Sequence, residues 1–539
     1  LHLIGSHSSH AAESNPGYGE WFSSRIGGGG YVIDLIPSSD PMVYYLHTDV
    51  GGFYRSDDGG KNWRMLQGAL PATQGSQEPR SLVVHPKDPN TILVATGSHW
   101  DKNREGIYRS SDGGKTFERT LEAPFAGNGN VRMWGKILAI DPFNSDVGLV
   151  GSMDDGVFRS EDFGKTWTKV GLESMNPSDI DFDLTKEGRV LLCSRPYNSF
   201  LLGNDKTVLT PGFFESTDGG KTWVELIGDA GAPFEIVQAG KAFNADWIGT
   251  FPPSVIKRSS DGGKTWKDFG EGLPDGDKAG VINANGSLTG WGAVAPFTFT
   301  ALTAGPDFLL VGSGDGKVYR RGATDNEWTL VPGKAQAPDS WFGNAGDRPG
   351  WVHFGRATAT IVVDPRDPKK WWLCDWYMLW RSDDAGKVWN YSGDGLEITC
   401  LHNVTQAPDD PGLVHMGMGD NGYFRSLDGG ATFQQQSKVI TNNVKDIAVS
   451  PKDGARLYAI GPDTNGQWFS SQVFVSDDRG TTWKPAAMKG ARDLPSRRIN
   501  SIAADPNSRD GVYITVAGKP SEKGGVFHST DAGETWNPV

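Results

Sequence analysis

Cysteine is scarce in this chain, and long apolar runs are missing from it. Only three cysteines, Cys193, Cys374 and Cys400, occur among the 539 residues, and they form no CxxC pair. Their odd number leaves at least one thiol unpaired, so disulfides do not hold this fold together. No segment approaches the ~18 consecutive apolar residues of a membrane-spanning helix. The sequence therefore predicts no membrane partner and no cysteine-based metal site.

Basic residues are outnumbered by acidic ones. The chain has 52 Lys and Arg against 65 Asp and Glu, which gives a formal net charge of −13. Nucleic-acid binding depends on a basic surface, so that class of partner is excluded, whereas a neutral polysaccharide is compatible with this charge. The sequence also lacks a Walker loop, an HExxH motif and a nucleophile elbow. We expect no cofactor and no bound metal.

Glycine and tryptophan, by contrast, are abundant. The 72 glycines are about 13% of the chain, against an ordinary value of ~7%. The 20 tryptophans are also many for this length. Tight turns between short strands need glycine, and large aromatic side chains fill small repeated cores. This composition predicts an all-β protein.

One nine-residue motif recurs ten times and organises the chain. Its pattern is S-x-D-x-G-x-T-W/F after a leading residue that is usually Arg, and the intervals between the key aspartates run from 43 to 64 residues. That spacing is typical of four-stranded propeller blades. The copies are RSDDGGKNW (55–63), RSSDGGKTF (109–117), RSEDFGKTW (159–167), ESTDGGKTW (215–223), RSSDGGKTW (258–266), the worn RRGATDNEW (320–328), RSDDAGKVW (381–389), RSLDGGATF (425–433), VSDDRGTTW (475–483) and HSTDAGETW (528–536).

The motif has a clear structural logic. Ser and Asp side chains accept or donate hydrogen bonds within a turn, Gly supplies a positive φ, and the final aromatic packs back between strands. This is the Asp box of sialidase-like propellers, placed between the third and fourth strands of a blade. We therefore interpret the box aspartates as folding residues and not as catalytic ones.

The boxes divide the chain into blades. Residues 1–24 form an N-terminal extension, 25–333 carry blades 1–6, 334–356 form an aromatic loop, and 357–539 carry blades 7–10. We expect an Asp-box β-propeller of about ten four-stranded blades. Three or four blades left over after a seven-bladed ring would close poorly, so one ten-bladed ring is favoured. Two unequal rings are the alternative.

Several segments outside the boxes resemble one enzyme family. The segment RIGGGGYVIDLIPSSDPMVYYLHTDVGGFYRS (25–56), the segment ILVATGSHWDKNREGIYRSSDGGKTF (92–117) and the segment GLEITCLHNVTQAPDDPGLVHMGMGDNGYFRS (395–426) are similar to the xyloglucan-specific endoglucanases of glycoside hydrolase family 74. That family has two tandem seven-bladed propellers with the substrate between them. This chain departs from it in holding ten boxes, where fourteen blades are the family pattern.

The resemblance implies a catalytic pair. The family hydrolyses β-1,4-glucan backbones with inversion, using two aspartates that match Asp49 in HTDVGG and Asp420 in MGDNG. By the same resemblance Asp420 is the general acid and Asp49 the general base. Inversion requires the two carboxyl groups ~6.5–9.5 Å apart, with a water between them and the sugar.

Position relative to the boxes predicts which blade face carries these residues. Asp49 precedes Ser56 by seven residues and Asp420 precedes Ser426 by six, so both fall between the second and third strands, opposite the boxes. Asp375 occupies the same place in another blade. Asp49 is followed by Val50, Gly51 and Gly52, and glycines there let a ligand approach the backbone. We expect a ligand on this face.

Sugar rings stack on aromatic side chains, which offer apolar faces at low entropic cost. The candidates for substrate binding, together with Asp375, are Trp100, Trp134, Tyr197, Trp341, Trp351, Trp372, Trp376 and Arg356. Arg132 and Arg195 also lie near blade starts, where they would bind an acidic sugar or form salt bridges.

The residues leave other functions open. A polysaccharide lyase acting on a uronate would use His or Tyr as base and Arg to neutralise the acid, and His47, His99, His402, Tyr197 and Arg195 are available. A sialidase is disfavoured, because Arg25-Ile26 is followed by four glycines. A non-catalytic propeller that binds glycan or protein is the remaining alternative. Three N-x-S/T sequons, at Asn285, Asn390 and Asn403, fit a secreted protein. We expect a secreted, monomeric glycoside hydrolase.

Overall fold

The protein is described here from a computed structural model. The described residues are 24–26, 28–73, 75–98, 105–125, 127–129, 132, 135–153, 155–195, 211–226, 231–275, 299–336, 354–355, 357–419, 421–436, 439–440, 443–462, 471–488, 498–518 and 524–539. They form ten antiparallel sheets in chain order, which confirms the predicted all-β fold and the number of blades. The chain divides into two compact units, one of residues 27–399 and one of residues 1–26 with 400–539.

The unit of residues 27–399 holds the first seven sheets. Each has the strand order of a blade, with the first strand at one edge and the fourth at the other, except that the seventh sheet carries one further strand beside its fourth. The strands are β1 Val32–Pro37, β2 Tyr44–Thr48, β3 Phe53–Ser56 and β4 Arg64–Met65; β5 Pro79–His85, β6 Asp88–Thr96, β7 Gly106–Ser110 and β8 Glu118–Leu121; β9 Leu138–Ile140, β10 Gly148–Ser152, β11 Gly156–Ser160 and β12 Thr168–Lys169; β13 Pro177–Phe182, β14 Val190–Ser194, β15 Gly212–Ser216 and β16 Val224–Glu225; β17 Glu235–Gln238, β18 Trp247–Phe251, β19 Val255–Ser259 and β20 Lys267–Asp268; β21 Phe299–Ala304, β22 Phe308–Ser313, β23 Val318–Gly322 and β24 Thr329–Leu330; and β25 Lys334–Gln336, β26 Thr360–Asp364, β27 Asp367–Cys374, β28 Leu379–Ser382 and β29 Val388–Tyr391.

The other unit holds the last three sheets. Their strands are β30 Leu401–Ala407, β31 Asp410–Met418, β32 Gly422–Ser426 and β33 Gln434–Gln435; β34 Asp446–Val449, β35 Leu457–Pro462, β36 Ser471–Ser476 and β37 Lys484–Pro485; and β38 Ile499–Ala504, β39 Val512–Val516, β40 Gly525–Ser529 and β41 Asn537–Pro538. The helices of the described residues are three short 3-10 turns, Gln67–Ala69, Gly75–Gln77 and Lys241–Phe243. Among the described residues no helix has the length and apolar character needed to cross a membrane.

The box turns have the structure that the motif predicts. In the second blade, Ser110 Oγ donates to Asp112 Oδ1 at 2.8 Å and accepts from the Gly114 amide at 2.9 Å. The Thr116 amide donates to Asp112 Oδ1 at 3.0 Å, and its hydroxyl donates to Oδ2 at 2.6 Å. Nine boxes repeat the bond from Ser to Asp. In the worn sixth copy Asp325 instead accepts from the Gly322 amide.

The first seven sheets close on one another. The first strands of successive blades are in contact around the unit, and the contacts return from β26 and β27 to β1. The Val32 amide donates to the Asp375 carbonyl at 3.1 Å, and the Tyr44 hydroxyl donates to Asp364. Gly60 lies where an added Cβ would be 2.2 Å from Trp372 Cη2, and its φ of +84° is one that glycine tolerates. The first and seventh blades are therefore packed neighbours.

This closure corrects the expectation of a single ten-bladed ring. The seventh blade meets the first through a core that contains Trp63, Tyr44 and Trp372, which leaves no place in that ring for another blade. The seventh sheet also has a fifth strand, because β25, at the start of the predicted aromatic loop, pairs in parallel with β29. The unit is a seven-bladed propeller.

The second unit is built in the same way from three consecutive blades. Strand β30 contacts β34, and β34 contacts β38. The Asp446 carboxylate accepts from the Asn403 side-chain amide at 2.8 Å and from the Ile502 amide at 2.9 Å, so it joins all three blades. Arg25, which the sequence assigned to the first group of blades, pairs instead with the end of the eighth blade. Its amide donates to the Ala431 carbonyl at 3.0 Å.

All three cysteines are free thiols. Cys193 and Cys374 are buried, whereas Cys400 is exposed. The prediction that disulfides do not hold this fold together is therefore confirmed.

Candidate functional site

Asp49 lies in the turn between β2 and β3, on the blade face opposite the box, as its spacing from Ser56 predicts. Its amide donates to the Tyr31 carbonyl at 3.0 Å, which anchors the turn to the start of β1. The Gly51 amide donates to Thr48 Oγ1 at 2.7 Å. A Cβ at Gly51 would lie 2.7 Å from Ile398 Cγ2, so a side chain there would displace the turn. The glycines of TDVGG thus fix the position of Asp49.

The Asp49 carboxylate is buried and paired with a single arginine. Arg132 Nη2 lies 3.2 Å from Asp49 Oδ2, and the two side chains are 2% and 10% exposed. Asp49 Oδ1 accepts no hydrogen bond from the described residues. Burial raises the pKa of the Asp49 carboxyl, and the charge and hydrogen bond of Arg132 act in the opposite direction. One carboxylate oxygen is thus available for a hydrogen bond to a ligand or a water.

Two aromatic rings flank the arginine. Tyr31 and Trp376 are stacked, with ring centroids 5.0 Å apart and an interplanar angle of 19°. The Arg132 guanidinium carbon lies 5.2 Å from the Tyr31 centroid and 5.7 Å from the Trp376 centroid. Aromatic faces attract a guanidinium and exclude water from it. Trp376 was a predicted substrate-binding residue, and the structure places it beside Arg132, the partner of Asp49. Tyr31 and the pairing of Arg132 with Asp49 were not predicted.

Asp375 holds its own loop together. Its carboxylate accepts from the amides of Tyr377, Met378 and Gly355 and from the indole of Trp380, at 2.7–2.9 Å. Burial raises the pKa of Asp375 to about 6 although these hydrogen bonds lower it. With four protein donors and no exposure, this carboxylate has no lone pair directed at a ligand. Asp375 was a predicted substrate-binding residue, but in the structure its carboxylate holds its own loop together.

Trp372 is likewise a core residue. Its side chain is fully buried and packs 5.3 Å, centroid to centroid, from Tyr44 across the junction of the first and seventh blades. No face of the ring is open to a sugar. The strand boundary explains the difference from Trp376, because Trp372 lies within β27, whose last four residues are all buried, and Trp376 follows in the turn.

The remaining predicted site residues lie outside the described residues. They are Asp420, Trp100, Trp134, Tyr197, Trp341, Trp351 and Arg356. Of the other residues considered for a lyase, His47 is buried on β2, and burial lowers its pKa to about 4. Arg195 is buried with its guanidinium 3.9 Å from the Phe234 centroid.

A group of charged side chains on the innermost strands was missed by sequence reasoning. Asp179 accepts from the amides of Lys136 and Ile236, both at 2.8 Å, and so links three adjacent blades. Burial raises the pKa of Asp179, of Asp181 and of Glu235. Within the described part of the chain, no three His, Cys, Asp or Glu side chains are grouped to hold a metal ion. We interpret Asp179 as a clamp between blades.

Fold and box turns together define an Asp-box β-propeller protein. Comparison with known families agrees, since the model described as BNR-Asp box repeat matches residues 157–170. The model described as Sortilin, neurotensin receptor 3, matches residues 421–539. Both matches cover blades of the kind described above.

The chain is also similar to xyloglucanases. One from a Paenibacillus species is 27% identical over 408 residues, which are 71% of this chain and 33% of that protein. Another, from Acetivibrio thermocellus, is 29% identical over 387 residues, which are 69% of this chain and 39% of that protein. The chain therefore spans less than half the length of these two relatives.

Among solved structures, the GH74 xyloglucanase from Xanthomonas campestris shares this fold. It matches with a TM-score of 0.77 at 21% identity, over 96% of this chain and 75% of that one. Together with the relatives, this match confirms the predicted resemblance to glycoside hydrolase family 74. The protein is an Asp-box β-propeller that is similar to xyloglucanases.

Proposed function

We propose that this protein is a glycoside hydrolase that cleaves xyloglucan or a related β-glucan. The observation that carries the proposal is the Asp49 carboxylate, which is buried, paired with Arg132 through one oxygen and without a hydrogen bond from the described residues at the other. It lies in the TDVGG turn, and relatives that are named xyloglucanases support the substrate class. The chain's net negative charge is compatible with a neutral polymer.

In this proposal Asp49 acts as the general base. An ionised carboxylate with a free oxygen removes a proton from water as the water attacks the anomeric carbon. The oxygen left free in the described structure is Oδ1, while Arg132 keeps Oδ2 engaged. Asp420 is assigned as the general acid on the similarity of the MGDNG segment alone. An inverting reaction would follow from this division of roles.

Digestion of xyloglucan by the purified chain tests the proposal. We expect new reducing ends, and proton NMR of the first products should show the α-anomer formed from a β-linkage. No release of reducing ends from xyloglucan or another β-glucan would contradict the proposal. Products with an unsaturated uronate, formed from a uronate-containing polymer, would favour a lyase instead.

We further propose that the protein is secreted and monomeric. A cell-wall polymer is met outside the cell, so immunodetection in the medium of the source organism should find the protein there. Light scattering after gel filtration should give a mass near the 58.3 kDa of one chain. A dimer mass, or detection confined to cells, would contradict the respective statement.

A further inference from the structure

Among the residues that the structure describes, Arg132 is the one charged partner of Asp49. It belongs to the connection between β8 and β9, which leads into the third blade, whereas Asp49 belongs to the first blade. The arginine is held in place by its own backbone amide and by Nη1, both of which donate to the Gly129 carbonyl at 3.1 Å. With the side chain 2% exposed, the guanidinium meets Asp49 with little competing water.

The second oxygen of Asp49 has no hydrogen bond from the described residues, in contrast to two other pairs of an arginine with a buried aspartate in the same unit. Arg366 contacts both oxygens of Asp364, through Nε at 2.8 Å and Nη2 at 2.9 Å. Arg189 contacts Oδ2 of Asp183 at 2.8 Å, and Oδ1 of Asp183 accepts from Gln238 Nε2 at 2.9 Å. Arg132 contacts only Oδ2 of Asp49. A pair that served stability alone would gain from engaging the second oxygen as well.

The contact with Arg132 affects the charge of Asp49 because few other charged groups among the described residues lie nearby. The titratable groups around Tyr31, which packs beside the pair, are Arg132, Asp49, Asp375 and Cys374. Arg132 is the one cation in that set. Burial alone favours the protonated carboxyl, and a protonated Asp49 cannot take a proton from water.

We propose that Arg132 is a positioning residue that keeps Asp49 ionised and turns its free Oδ1 toward the attacking water. This inference rests on the proposed hydrolase function. The stack of Tyr31 and Trp376 contributes by holding the guanidinium against the carboxylate. Arg132 itself touches no reacting atom.

The test compares pH profiles of kcat/KM for xyloglucan in wild type, Arg132→Met and Arg132→Lys. Loss of an opposite charge within ~4–6 Å raises a carboxyl pKa by roughly one to three units. We expect the acidic limb of the Arg132→Met profile to move upward by that amount, with at least a tenfold loss of kcat/KM on the acidic side. Arg132→Lys should restore most of the wild-type profile, and guanidinium added to Arg132→Met should restore part of it.

Arg189→Gln is the matched control, because it removes a buried arginine from another ion pair of the unit. Its melting temperature should fall while its pH profile keeps the wild-type shape. An unshifted acidic limb in Arg132→Met, with Asp49→Asn inactive, would overturn the proposal. If Arg132→Met fails to fold, Arg132→Lys tests the proposal instead. A lysine variant that folds but has lost all activity would contradict the proposal, because lysine keeps the positive charge.

Carbon NMR separates this inference from the proposed function. With aspartate labelled at the carboxyl carbon, the Asp49 signal is assigned by its absence in Asp49→Asn. It should titrate at higher pH in Arg132→Met than in wild type, and close to wild type in Arg132→Lys, whether or not xyloglucan is a substrate. Equal titration in all three proteins would overturn the role of Arg132, whereas absent cleavage of β-glucans would overturn only the function.

Discussion

The indole Nε1 of Trp63 donates a hydrogen bond of 2.9 Å to the carbonyl oxygen of Ser392, which lies 329 residues further along the chain. Trp63 ends the first box, and Ser392 follows the last strand of the seventh blade. The Ser392 hydroxyl in turn donates to the Gly60 carbonyl at 2.6 Å. These two bonds close the seven-bladed ring with residues of a box turn, so the repeat motif serves closure as well as the single blade.

Removing a large side chain from this junction should destabilise the ring. Trp372→Ala deletes a fully buried indole between the first and seventh blades, and such truncations cost about 3–5 kcal/mol. Urea unfolding followed by tryptophan fluorescence measures the loss. Trp376→Ala, four residues away in a turn, is the control, with a smaller loss of stability and a larger loss of activity. Equal stability of the two variants would contradict the closure described here.

A box aspartate should matter for folding and not for catalysis. Asp112→Ala leaves the Thr116 amide and the Ser110 and Thr116 hydroxyls without their acceptor in a turn that water can reach, at a cost of about 0.5–1.5 kcal/mol. Thermal melts measure that cost, and kcat on xyloglucan should stay within twofold of wild type. Ser111→Ala, an exposed neighbour, should change stability by less than ~0.5 kcal/mol. A large drop in kcat for Asp112→Ala would contradict this prediction, because it would show that a box aspartate takes part in catalysis.

Acid should weaken the fold through His47. Burial lowers the folded-state pKa of this histidine from 6.5 to about 4. Between those values the unfolded chain binds a proton that the folded chain does not, so stability rises with pH across that window and is lost as the pH falls through it. The urea midpoint should therefore decrease from pH 7 to pH 5, and His47→Gln should flatten this slope.

His402→Gln is the control for that experiment. His402 lies at an exposed position of β30, so the variant controls for the replacement of a histidine by glutamine outside the core. A His47→Gln slope equal to that of wild type would contradict the role of His47.

The box aspartates affect stability at lower pH, because the folded pKa of Asp218 and Asp261 is about 2 against 3.8 unfolded. Their contribution is present above pH 4 and is lost as the pH falls toward 2.

Blade number and box structure were predictable because they are local. Ser, Asp and Gly at fixed offsets make the same hydrogen bonds in nine of the ten copies, and the strands before them alternate. Closure was not predictable, because it depends on contacts such as Tyr44 with Trp372 and Trp63 with Ser392, which carry no periodic signal. The count of ten boxes therefore led to the prediction of one ten-bladed ring, whereas in the structure the first seven blades close into a ring of their own.

The position of Asp49 was predictable for the same reason, since its distance from the box places it on the opposite face. Arg132 was recognised only as a residue near a blade start that would bind an acidic sugar or form a salt bridge. Its partner comes from another blade, and no spacing in the sequence joins residues 49 and 132. Residue type and spacing also did not distinguish Trp372 from Trp376, which lie in one short segment. The end of β27 at Cys374 separates them, so that Trp372 lies in the core and Trp376 lies in the turn near the site.

The measurement that tests the central claim most directly is kcat on xyloglucan for Asp49→Asn beside wild type. The substitution keeps the shape of the side chain and removes its charge, so no base remains to activate water, and we expect kcat to fall at least a thousandfold, at the upper part of the ~10²–10⁴ range of general-base catalysis. Melting temperatures within a few degrees of wild type would show that the fold persists. An Asp49→Asn protein that keeps near-wild-type turnover would contradict the claim that Asp49 is the catalytic base.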